Sequence, residues 1–100
     1  SKELTFFDLD RLGGIGRLLD LVVNSSRFEF LLPRLIDHFK RLSLALEDLD
    51  TFWREKNLYN QRRSLRDLYL RINDYLSARF TGVWLAELQE SLSRDYAHNE

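Results

Sequence analysis

A chain of 100 residues is one ordinary domain, and its 44% hydrophobic and 13% aromatic content excludes a disordered segment. A net charge of -1 with both signs well mixed, and an isoelectric point near 6.1, speak against a duplex nucleic-acid binder, which would be basic overall. The absence of cysteine removes disulfides, thiolate metal sites and cysteine nucleophiles, and no apolar run reaches the roughly 18 to 20 residues of a membrane span. With no export signal, a cytoplasmic location is expected. There is no methionine, position 1 included, so the chain is expected to be a fragment or processed form of a longer protein, folding as a single helical domain over residues 1–100.

Residues 5–23 read as a first helix. Thr5 is placed to cap it, and Asp8 and Asp10 lie in its first turns, where negative charge suits the helix dipole. Phe6, Leu9 and Leu12 share a face that Leu18, Leu19, Val22 and Val23 continue. Gly13, Gly14 and Gly16 interrupt it, which means either a joint at 13–14 or a patch where another element packs closely. Asn24-Ser25-Ser26 ends this segment. Ser26 followed three residues later by Glu29 has the form of a capping box, so a second helix is expected from there. Pro33 predicts a kink near Arg34, or a turn before a helix that begins at Pro33 itself.

From Arg34 to Thr81 the sequence contains neither glycine nor proline. Leu35, Phe39, Leu42, Leu46, Leu49 and Trp53 follow heptad spacing, and the seam then fails at Lys56 and Asn60. A second seam, out of phase with the first, runs through Leu65, Tyr69, Ile72 and Leu76. Either the polar stretch 56–63 is the turn of a helical hairpin, or one long helix carries a phase break. Helices of that length are rare in compact domains, which favours the hairpin, although its turn lacks the usual glycine. Thr81-Gly82 closes this helix. A last helix starts near Val83, with Trp84, Leu85, Leu88, Leu92 and Tyr96 on one side, and residues 97–100 are expected to fray.

Little in the sequence points to catalysis. His38 sits about 60° from the seam centre and is expected to pack its ring on neighbours. His98 shares a helix face with Asp95, but the acids lie outside the apolar seams, so a carboxylate metal site inside the bundle is not expected. Gly13-Gly14-Ile15-Gly16 lacks the lysine and hydroxyl residue of a phosphate loop, and no Gly-x-Ser-x-Gly elbow occurs. No enzyme activity, catalytic residue, cofactor or metal ligand is expected, and no segment carries a motif specific to a known family.

Two features go beyond a plain helical bundle. Leu44 points about 180° from Leu35, Phe30 nearly as far, and Leu70 about 140° from Leu65. Large apolar residues off the main face imply a second contact surface. Charge is also uneven: residues 50–80 hold seven basic and four acidic side chains, and residues 81–100 hold one and four. Arg63, Arg66 and Leu70 should line one outer face, which the acidic last helix could meet in the same chain or across a dimer.

The sequence therefore predicts an all-α fold, a three- to four-helix bundle built on an antiparallel hairpin of 34–55 and 62–80, completed by dimerisation. The expected function is a protein-interaction or regulatory module, binding a partner or itself through helix faces. Phe30, Leu44, Trp53, Arg63, Arg66, Leu70 and Trp84 are the expected interface, with the two tryptophans as anchors. Two alternatives stand beside it: a phosphotransfer-type bundle using His38, and a weak nucleic-acid binder using Arg62, Arg63, Arg66 and Arg71.

Overall fold

The computed structural model describes residues 13–99, and among them every regular element is helical. Residues 5–12, with the expected Thr5 cap, lie outside the described residues. The first described element, α1, is α-helical over 13–18 and widens into a π-helical stretch, Leu19–Asn24. Of the two readings of its glycines, close packing holds at Gly14. A Cβ there would fall 2.6 Å from Arg54 Nη2 and from Asp50 Oδ1, whereas at Gly13 and Gly16 it would meet nothing within 4 Å among the described residues. Asn24 and Ser25 turn back on the helix, donating to Asp20 Oδ1 and the Leu21 carbonyl.

The capping box does not form. Ser26 is in the left-handed region (φ 58), and α2, Leu31–Phe39, has no side-chain cap of its own. The N–H groups at its start are instead met from the far end of the chain. Asp95 Oδ1 accepts from Phe30 N at 2.8 Å, and Asp95 Oδ2 accepts from Leu31 N at 2.9 Å. Pro33 falls in the first turn of α2, where a missing N–H costs nothing, so the helix starts two residues before it.

The expected 34–55 arm is two helices. Lys40 adopts a left-handed conformation (φ 72) and Arg41 is extended, which separates α2 from α3, Leu42–Glu55. The seam survives the break because both helices bury it: Leu35 in α2, and Leu46, Leu49 and Trp53 in α3. Asn57, also left-handed (φ 54), ends α3 in the role usually taken by glycine. A 3-10 turn, Leu58–Asn60, follows.

Helix α4, Leu65–Arg79, opens with Ser64 accepting from Asp67 N at 3.2 Å. Gly82 (φ 61) starts α5, Gly82–Asn99. Residues 97–99 do not fray, since Asn99 Nδ2 donates to the Asp95 carbonyl at 2.8 Å and the Arg27 carbonyl at 3.2 Å. The closest helix pairings are α4 with α5, α2 with α3, and α2 with α5. The expected spine of α3 against α4 is thus not the main contact. Those two helices meet through side chains, where the Tyr75 hydroxyl donates to Asp48 at 2.7 Å and Arg79 pairs with the same carboxylate. The core combines Leu18, Phe28, Leu31, Trp53, Ile72, Leu76 and Leu88.

Candidate interaction surface

Helical periodicity assigns Phe30, Leu44 and Leu70 to outer faces, and they are there. Together with Trp84 they are 41% to 44% exposed. They do not form one patch. Phe30 stands edge-on to His98 near the end of α5, with ring centroids 6.5 Å apart. Trp84 lies at the start of α5 against His38. These two ends are roughly 20 Å apart along the helix. Trp53 is only 1% exposed and fills the core, so its surface is not available to a partner.

The arginines also divide. The Arg63 guanidinium lies 5.5 Å from the Trp53 ring centroid and donates to the Leu58 carbonyl, so it is turned inward. Arg71 pairs with Asp74 at 3.2 Å. Arg62 and Arg66 remain exposed. The acidic side of α5 does not meet them: Glu87 approaches Arg34 of α2 at 3.6 Å, and Glu90 approaches Arg94 at 3.4 Å.

Arg66 and Leu70 line the open groove between α4 and α5, about 480 Å³ in volume. Tyr69 and Leu92 are buried beneath it, and Tyr96 flanks it. One wall is fixed by Gln89 Nε2 donating to Asn73 Oδ1 at 2.9 Å. The Tyr69 hydroxyl donates to the Arg27 carbonyl at 2.7 Å, and burial pushes its pKa up. Tyr69 is therefore a neutral structural strut.

Residues 1–100 match the model of a family described as protein of unknown function, DUF4080. The chain belongs to that family. No curated protein and no solved structure matches it.

In this DUF4080 chain the His38 ring contacts three aromatic edges, those of Phe39, Phe80 and Trp84, at 5.0, 4.8 and 5.3 Å between centroids. That is the packing role expected of it. Among the described residues no three histidine or acidic side chains gather as a metal site, and no helix is long and apolar enough to cross a membrane.

The expectation that acids stay outside the seams fails at Asp95, and Asp50, next to the seam position Leu49, is buried as well. Asp50 and Asp95 are each 1% exposed. Burial holds the Asp95 carboxyl above the ordinary aspartate value, against the opposing pull of its two backbone donors. Asp50 is met by Arg54 Nε at 3.0 Å and by the Tyr59 hydroxyl at 2.6 Å. Burial and that neighbouring carboxylate raise the Tyr59 pKa, so its proton stays in place. The sequence carried a signal for each. Asp95 follows Leu88 and Leu92 at 4, 3 spacing, and Asp50 precedes Arg54 by one turn.

Proposed function

We propose that this domain is a protein-interaction module that docks helix against helix, and that its partner is a second copy of the chain. The observation that carries this reading is Leu70, exposed beside the α4–α5 groove with Arg66 one turn before it and Asp74 one turn after it. Charge on this stripe is self-complementary. If two α4 helices approach antiparallel about Leu70, Arg66 of each copy faces Asp74 of the other. Asp74 keeps its own Arg71 but is half exposed, so a second arginine can reach it. Each Leu70 would then enter the partner's groove beside Tyr96. The apolar contact supplies most of the affinity and the charges set the register.

The test is a charge reversal followed by sedimentation velocity. Arg66→Glu should weaken the dimer, and adding Asp74→Arg in the same chain should restore it, because the swapped pair is again complementary. A dimer indifferent to Arg66→Glu, or a double variant no better than the single, would contradict this packing.

A further inference from the structure

Apart from that groove, a second cavity of about 490 Å³ opens where α1 crosses the end of α3. Its lining is rich in cationic and amide side chains. Arg17, Arg54, Asn57, Asn60 and Tyr59 contribute to it, and no acidic side chain does among the described residues. By contrast, the smaller pocket between α2 and α5 mixes Arg34 and Arg94 with Glu87 and Glu90.

Among the described residues, Arg17 and Arg54 bring two positive charges to the cavity and Asp50 one negative charge. Asp50 lies behind it, almost wholly buried, and is engaged by Arg54 and Tyr59. Arg54 is thereby matched by a carboxylate. Arg17 is exposed, lies 5.5 Å from the Tyr59 ring centroid and, among the described residues, meets no carboxylate in an ion pair. Asn57 lines the cavity and uses its side-chain oxygen to accept from Asn60 Nδ2 at 2.7 Å, while its amide nitrogen is a donor. An exposed guanidinium and amide groups at one concave site suit an oxyanion, since charge-assisted bonds are stronger than neutral ones. The volume exceeds what an inorganic ion needs and falls in the range of small-molecule sites.

The scaffold holds this arrangement open. Gly14 brings α1 so close to Asp50 and Arg54 that no Cβ fits, and the Tyr59 hydroxyl lies 3.0 Å from the Gly14 carbonyl. Asn57 is set by the left-handed turn that ends α3. The Gly14 and Tyr59 side of the cavity is thus held by packed contacts, while Arg17 is exposed.

We infer that this cavity binds a small organic anion, whose carboxylate or phosphate is held by Arg17 and Asn57. The site is independent of the Leu70 face. The test titrates the isotopically labelled protein with two probes, phenyl phosphate and benzoate, followed by amide chemical shifts. Saturable shifts at Gly13, Gly14, Arg17, Asn57 and Asn60 are expected, and the tighter probe tells phosphate from carboxylate. Arg17→Gln should weaken binding by about tenfold or more, the loss expected for one charge-assisted contact. Arg17 is exposed, so this variant should keep its fold, shown by unchanged shifts in the α4–α5 core. Absence of saturable shifts with both probes, or equal binding by Arg17→Gln, would overturn the inference.

Discussion

Asp95 offers the sharpest test of how this fold is closed. Its two oxygens accept from the backbone N–H groups of Phe30 and Leu31 at 2.8 and 2.9 Å, and the side chain is 1% exposed. Asp95→Ala would leave both donors without a partner. A buried donor so stranded costs about 1–3 kcal/mol, and loss of a helix cap typically costs about 1 kcal/mol. A destabilisation of about 3 kcal/mol is expected, a large share of the roughly 5–15 kcal/mol that a domain possesses. Asp95→Asn keeps one acceptor and should lose about half as much. Urea unfolding at neutral pH, with unchanged dependence on denaturant, is the assay.

The same residue makes a signed prediction about pH. The fold raises the Asp95 pKa, so the native state binds that proton more tightly than the unfolded chain does. The proton-linked part of the stability it contributes is full below the ordinary aspartate value of about 3.9 and is lost as pH rises through the raised value, while the bonds to the two N–H groups are made in both forms. The advantage of wild type over Asp95→Asn should therefore shrink as pH rises through that window. An advantage that grows with pH would show that the two N–H donors outweigh burial and that the carboxyl is depressed. An Asp95→Ala variant as stable as wild type would refute the capping role altogether.

Two further perturbations test the packing. Gly14→Ala should cost about 1–3 kcal/mol in thermal or urea unfolding because its Cβ meets Asp50 and Arg54, whereas Gly16→Ala, which meets nothing among the described residues, should gain about 0.5–1 kcal/mol from helix propensity. Trp53→Ala should lose about 3–5 kcal/mol of stability, as a core tryptophan does. Loss of self-association without that loss of stability would instead return Trp53 to the interface.

Much of this architecture was written in periodicity. Leu46, Leu49, Ile72, Leu88 and Leu92 are buried where their spacing puts them, and Phe30, Leu44 and Leu70 are exposed where the same rule puts them off the seam. What periodicity could not reveal depends on backbone conformation and on distant partners. The break at Lys40 rests on a left-handed lysine, a residue type with no preference for that state, so nothing in composition marks it. Asn57 is the milder case, since asparagine tolerates the conformation and stands where a turn was expected. Ser26 and Glu29 made a plausible local cap, but the true cap is a carboxylate 64 residues away in sequence from Leu31. Among the residues of the proposed interface, Arg66 and Leu70 were legible from one helix alone. Tyr69, Asn73 and Gln89 were not, because the groove exists only once α5 lies against α4.

The solution mass of wild type and of Leu70→Asp, followed by light scattering across concentration, bears most directly on the proposed self-docking. The expected result is wild type moving toward twice its 12.0 kDa mass as concentration rises, while Leu70→Asp stays monomeric with the same helix content. A wild type that remains monomeric throughout, or a Leu70→Asp variant that still dimerises, would contradict it.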